Sequence, residues 1–154
     1  MSVPAFFDTA LAYDPVAQRG DLAFDGRDLM IDSSVLTPLF LAVGLDRRAH
    51  PDDVLPDDNS NGLAPKRLDQ RRGWAGDMLD AQGRLTGSRW WLLGNRKQTE
   101  ATRLFAQGVL AEALAPFDAM GLAVTIAVRW LRANVLGYSV QIGDVKSPRF
   151  QVGL

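Results

Sequence analysis

The sequence predicts an α+β fold. In it, a small antiparallel sheet, made of an N-terminal and a C-terminal hairpin, packs against two main helices, with a long ordered Arg/Trp loop between them. Three patterns carry that expectation. Apolar residues alternate over Leu122–Arg132 and again over Leu136–Ile142, the period of a strand with one face in a core. Residues 99–115 are apolar at helical spacing, as in a helix that packs on other elements. Between residues 46 and 87 no periodicity lasts, while proline, glycine and aspartate accumulate, the composition of an irregular excursion.

Taken in order, residues 1–20 hold Pro4, Pro15 and Gly20 with weak periodicity and read as an N-terminal arm with room for one helical turn. The main domain is expected over 21–143. Asp25-Gly26 stands between two short alternating runs in Leu22–Ile31, and that dipeptide tolerates the positive φ of a tight hairpin turn. A helix should run from Ser34 to Val43. Ser33 or Ser34 can cap it, Leu36, Leu39, Phe40 and Val43 give it an apolar face, and Gly44 stops it. Pro38 falls in its first turn, where a missing N–H does no harm.

The excursion from Asp46 to Gly87 is long for a compact domain, and loops of that length are usually functional or flexible. Trp74, Trp90 and Trp91 lie in or beside it. Such side chains favour burial, so Trp74 and at least one of Trp90 and Trp91 are expected to be largely buried. The main helix follows. Thr99 can cap it, and Ala101, Leu104, Phe105, Gly108, Val109, Ala111 and Leu114 surround most of it, so it should be mostly covered by protein. Pro116 should kink or end it, and Gly121 should end any continuation. In the C-terminal hairpin, Leu122, Val124, Ile126, Val128 and Trp130 share one face, and Ala133-Asn134 supplies the turn. The tail 144–154 contains the alternating Phe150 and Val152, a third strand in waiting.

Composition narrows the function. The chain has 154 residues, 47% apolar and 23% charged, with no cysteine and one histidine. That excludes a disulfide framework, a zinc–thiolate centre and a cysteine nucleophile. No apolar run reaches the roughly 18 residues of a membrane span, and Met1–Asp14 lacks the features of a signal peptide, so a cytoplasmic protein is expected. The net charge of −1 conceals a division: residues 1–65 carry −7 and residues 66–107 carry +5. Such a split suits complementary surfaces for assembly, or a basic patch for nucleic acid. Arginine outnumbers lysine 14 to 3, and its planar fork is the better interface cation.

Candidate reaction centres are weak. Asp57–Gly62 matches the first half of a calcium loop, but Leu68 stands where the bidentate Glu belongs, so a polar turn is expected and no calcium. His50 is the lone imidazole, in His-Pro-Asp-Asp, with no Gly-x-Ser-x-Gly elbow elsewhere. Glu112 sits among apolar neighbours on the main helix. It is either a buried general acid for sugar hydrolysis or the partner of a core arginine. No phosphate-binding glycine motif occurs. No cofactor or metal is therefore expected.

Three clusters stand out instead: Asp46-Arg47-Arg48 with Asp52, Asp53 and Pro56; Arg71-Arg72-Gly73-Trp74-Ala75-Gly76-Asp77; and Gly87-Ser88-Arg89-Trp90-Trp91-Leu92-Leu93. Gly73 and Gly76 let the backbone turn beside the Trp74 ring. Arg71, Arg72 and Arg89 are placed to pair with Asp52, Asp53 and Asp77 or to stack on the tryptophans.

These motifs, in this order, resemble the Mu-like phage baseplate wedge family. That family is related to the wedge and sheath-initiator proteins, some labelled lysozyme-like, of contractile tails and type VI secretion systems. The resemblance spans about residues 20–143 and extends to Arg96–Thr99. Two departures are visible: Ala75 stands where a second aromatic is expected, and Ala119–Leu122 lacks the family's Glu-Pro-Arg contact motif. The resemblance implies a non-enzymatic structural subunit in the virion tail, assembled in the host cytoplasm. Its partners would be other wedge proteins, central hub or tube proteins and the tail sheath, with no nucleic acid and no membrane. The residues then expected to brace or contact are Asp46, Arg47, Arg48, Asp53, Arg71, Arg72, Gly73, Trp74, Gly76, Asp77, Arg89, Trp90 and Trp91. Phe150 and Val152 belong to a tail, Ser147–Leu154, expected to face the sheath and to be removable without unfolding the domain. The competing readings are a peptidoglycan hydrolase that stacks its tryptophans on sugar rings, and a nucleic-acid-binding domain.

Overall fold

The computed structural model describes residues 6–14, 16–17, 19–56, 71–94 and 96–154. Four short strands open the chain: β1 (Asp8–Thr9), β2 (Leu11–Asp14), β3 (Arg19–Leu22) and β4 (Ile31–Asp32). β2 pairs antiparallel with β3, placing Tyr13 opposite Gly20, and β1 pairs with β4, placing Asp8 opposite Asp32. Ala10 joins the two ladders, donating its N–H to Met30 O at 2.7 Å and accepting from Ala23 N–H at 2.9 Å. The hairpin about Asp25-Gly26 forms, with Phe24 bridged to Leu29 and Gly26 at φ +97°. The Asp25 carboxylate accepts from the Arg27 and Asp28 N–H groups and locks that turn.

The helical turn expected within residues 1–20 is not formed among the described residues. Residues 8–9, 11–14 and 19–22 are strands, and the Asp14 carboxylate closes the turn between β2 and β3 by accepting from Val16 and Ala17 N–H. The alternation behind β2 is only Leu11 and Tyr13, too short to register as a period.

Helix α1 (Leu36–Gly44) begins where Ser34 Oγ accepts from Leu36 N–H, and it buries Leu39 and Val43. Thr37 Oγ1 donates to Thr9 O at 2.8 Å and ties α1 to β1. Helix α2 (Glu100–Ala119) is capped by Thr99, whose Oγ1 accepts from Thr102 N–H. Pro116 does not end it. The loss of one N–H is offset by Phe117, buried in the core, and the chain leaves the helix only at Gly121, φ +80°. Nor is α2 mostly covered. Ala106, Val109, Leu110, Ala113 and Leu114 face inward, but Leu104 is 54% exposed and Ala101, Gly108 and Ala111 lie in solvent with it. No helix among the described residues is long and apolar enough to cross a membrane.

The C-terminal sheet contains β5 (Val124–Arg132), β6 (Val135–Ile142), β7 (Val145–Lys146) and β8 (Phe150–Gly153). β6 is central, with β5 on one side and both β7 and β8 on the other. Asn134 turns the β5–β6 hairpin at φ +55°, and an irregularity between Trp130 and Arg132 absorbs the odd residue. Val128, Leu136, Tyr138, Val140 and Ile142 then point into one core with α1 and α2.

The tail does not stand apart from this core. β8 lies back on β6 with Phe150 opposite Tyr138, their rings stacked at 5.0 Å, and Tyr13 and Phe40 pack edge-on to Phe150. Ser147 is buried, its Oγ accepting from Val140 N–H and donating to Pro148 O. The expectation that residues 147–154 can be removed harmlessly is therefore corrected, because the tail closes the β6 edge and one wall of the aromatic cluster. Phe150→Ala should cost about 3 kcal/mol and lower Tm by roughly 8 °C in calorimetry. An unchanged Tm would mean that β8 is not packed as described.

Candidate functional site

The three sequence clusters meet on one side of α2. A parallel bridge joins Asp46 to Ser88. Within it Arg47 N–H donates to Ser88 O, Ser88 N–H donates to Leu45 O, and Ser88 Oγ donates to Val43 O. Gly87 makes this approach possible: at φ +93°, a Cβ there would lie 2.3 Å from Leu45 O. A 3₁₀ helix, Arg89–Leu93, follows at once. It drops Leu93 into the main core and Leu92 into a smaller one with Ala49 and Leu55.

That placement aims Arg89 between two carboxylates. Its Nη1 donates to both oxygens of Asp53 at 2.7 Å, while Nε and Nη2 donate to Glu112 Oε2 at 2.9 and 2.6 Å. The Arg89 and Asp53 side chains are only 13% and 10% exposed, so solvent screens them little. Glu112 Oε1 also lies 3.4 Å from Arg47 Nε and 3.2 Å from His50 Nε2. His50 N–H donates to Asp53 Oδ2 at 2.7 Å and closes the ring of contacts. Burial works against charge on Asp53, but the Arg89 guanidinium and the His50 N–H together hold its carboxyl below the usual range. Burial likewise opposes charge on Arg89, and its two carboxylates outweigh that and hold its pKa above the ordinary value.

A second layer fastens the excursion. Arg72 Nη1 donates to Asp46 Oδ2 at 2.6 Å, and its guanidinium lies 4.6 Å over the Trp91 ring. The Trp91 Nε1–H donates to Arg47 O at 2.9 Å. Arg71 donates to the His50 and Pro51 carbonyls, and Ala49 N–H donates to Arg71 O. Gly73, at φ +119°, passes so close to Arg48 that a Cβ would sit 3.2 Å from the Arg48 Cβ. Asp77 accepts from Thr86 N–H and holds the far end of the loop.

The structure thus brings together Asp46, Arg47, Asp53, Arg71, Arg72, Arg89 and Trp91, with Arg48 and Gly73 alongside. Trp90 points the other way, its ring 4.4 Å from Tyr138, and Phe150 and Val152 belong to the C-terminal sheet. Trp74 is a correction. It is 48% exposed rather than buried, with its ring folded over Gly76, where a Cβ would be 2.3 Å away. The cause is local: the 3₁₀ helix Ala75–Leu79 projects outward, leaving Met78 and Leu79 almost fully exposed. Trp90 and Trp91 are half-buried. Of the two roles left open for Glu112, its oxygens take the arginine one. As the one Glu in the middle of the apolar helix it was the available signal, yet its three partners, Arg89, His50 and Arg47, lie 23 to 65 residues earlier. The calcium-like stretch Asp57–Gly62 and Leu68 lie outside the described residues.

Similarity to known proteins covers this whole assembly. A family model described as phage protein GP46 matches residues 35–148. "Baseplate protein gp46" of Escherichia phage Mu is 40% identical over 111 residues, covering 72% of this chain and 69% of that protein. No solved structure matches the chain.

Arg89→Met should destabilise by about 3–5 kcal/mol in denaturant melts, because it leaves two carboxylates facing each other without their cation. The double variant with Glu112→Gln should recover part of that loss. Since Asp53 has a lowered folded-state pKa, its contribution is present above the unfolded value near 4 and is lost as pH falls through the folded one. Acid titration of the stability should therefore be shallower for Asp53→Asn below about pH 4. Trp91→Ala should lower Tm more than Trp74→Ala, and the reverse order would undo the assignment of the bracing ring.

Proposed function

Because the chain belongs to the phage protein GP46 family, we propose that it is a non-enzymatic structural subunit of a contractile phage tail baseplate. It would be a wedge component in contact with other wedge proteins and the central hub or tube, located in the virion and assembled in the host cytoplasm. The observation that carries this reading is the use made of the arginines. Arg71, Arg72 and Arg89 are spent inside the chain on carboxylates and carbonyls, so the cluster fixes a loop rather than serving a substrate. What that loop presents outward is apolar: Trp74, Met78 and Leu79. Exposed groups of that kind on a rigid support fit a neighbouring subunit.

The two alternatives draw less support. For a hydrolase, Glu112 would have to be free to donate a proton, and both its oxygens face cations. For nucleic acid, two of the three rings in the Arg/Trp cluster are taken, because Arg72 covers Trp91 and Trp90 packs on Tyr138, and Arg71, Arg72 and Arg89 are already paired within the chain. The reading includes a sheath-initiating role. The tail folds back on β6, so the edge offered to a sheath strand is the outer side of β5 or β8, whose backbone groups form a template for strand addition.

A phage lysate made without this chain should contain no sheathed tails, and an antibody label should mark the baseplate end of normal ones. Normal numbers of sheathed tails without the chain would overturn the proposal. Clearing of a peptidoglycan suspension by the purified chain would return the hydrolase reading.

A further inference from the structure

Two charged surfaces play no part in that reading. On the outer face of the C-terminal sheet, Arg129 of β5, Lys146 of β7 and Arg149 just before β8 line a recess of about 210 Å³ whose floor includes Ala127, Gly137 and Ser139. The recess contains no acidic side chain, and none of the three cations has an ion pair or hydrogen bond among the described residues. The second surface is the N-terminal meander, residues 8–32, with six aspartates against two arginines. Its tip is the Asp25–Asp28 turn. Asp25 Oδ1 accepts from Arg27 and Asp28 N–H, and Asp28 Oδ1 accepts from Leu29 N–H. Each carboxylate thereby keeps a second oxygen free of partners among the described residues. Phe24, 63% exposed, and Ile31, 53% exposed, flank the tip.

We propose that the Asp25–Asp28 turn of one copy docks into the Arg129–Lys146–Arg149 recess of a second copy. The argument is complementarity within one sequence. Residues 8–32 carry six aspartates against two arginines, while the recess carries three cations and no acid. Two carboxylates on a narrow rigid turn meet three unpaired cations in a shallow recess. Two of those cations are arginines, which bind carboxylates through paired N–H groups. Phe24 and Ile31 supply apolar area beside the charges, which ion pairs at an exposed surface need in order to hold. The meander lies outside the family-matched residues 35–148.

Sedimentation of the purified protein tests this separately from tail assembly, so either proposal can fail alone. Self-association is expected at about 0.05 M salt and should weaken at least tenfold at about 0.5 M, where the Debye length shrinks from over 10 Å to a few ångströms. The variants Asp25→Lys/Asp28→Lys and Lys146→Glu/Arg149→Glu should each raise the dissociation constant about a hundredfold, since like charges then face each other. All four positions are exposed, so unchanged Tm values are expected and would verify that both variants fold. Mixing the two variants should restore association, because the lysine turn of one now meets the glutamate recess of the other. A wild-type chain that stays monomeric at both salts, or a mixture that stays monomeric, would overturn the proposal, as would variants that associate like the wild type.

Discussion

The Arg89 guanidinium is the point on which the rest of the molecule hangs. It binds Asp53 and Glu112 at once, and those carboxylates belong to an irregular loop and to the middle of α2. Nothing in local propensity would hold the 46–56 segment against that helix. A buried ion pair is a poor source of net stability, since desolvation consumes most of its attraction, but it is a strong specifier of geometry. Misplacing either carboxylate would leave a nearly buried charge without its partner. The loop is therefore confined to one arrangement by its ion pairs together with the small core of Ala49, Leu55 and Leu92, since a sequence rich in Asp and Pro supplies few apolar groups.

Backbone freedom makes that arrangement reachable. Gly87 and Gly73 adopt positive φ where Leu45 and Arg48 pass so close that an added Cβ would lie 2.3 and 3.2 Å from them, and Arg72 itself takes φ +49°. A non-glycine residue in that region is strained. Here the strain is offset where it arises, since the same turn delivers the Arg72 side chain to Asp46 and the Trp91 face. Ion pairs, carbonyl contacts and ring stacking thus share a few residues, and each restricts the freedom the others would have to overcome.

How far this was legible depends on the range of each interaction. The C-terminal hairpin was readable because Val124 through Ile142 alternate over two full strands with a turn residue between them, and one buried face suffices to produce that pattern. The α+β class and both main helices followed from the same kind of local periodicity. Residues 8–22 were misread because Leu11 and Tyr13 are the whole of the alternation, and their pairing with β3 rests on turn hydrogen bonds by Asp14. Trp74 was misread for a different reason. Burial is the ordinary preference of an indole, and no residue near it says that the 3₁₀ segment after it will project outward. The charges of the Arg/Trp cluster were visible, but the partition of Arg89 to Asp53 and Glu112, and of Arg72 to Asp46, is set by contacts 23 to 36 residues apart.

The same distinction separates the braced loop from the sheet. In the loop, Arg72 and Arg89 are matched to carboxylates and Arg71 to backbone carbonyls, while Trp74, Met78 and Leu79 project outward. In the sheet, apolar groups are matched inward as Leu136, Tyr138, Val140 and Ile142, and the outer face carries the unmatched cations Arg129, Lys146 and Arg149. A chain that satisfied both kinds of group internally would have a bland surface. This one satisfies charge in one region and apolar area in the other, leaving an apolar projection and a basic recess on the outside, besides the acidic meander tip beside Phe24. For a subunit that functions by being packed against, such a division gives each exposed region its own partner chemistry. An apolar knob tolerates salt and adapts in orientation, whereas a charged recess steers and discriminates at a distance set by the ionic strength.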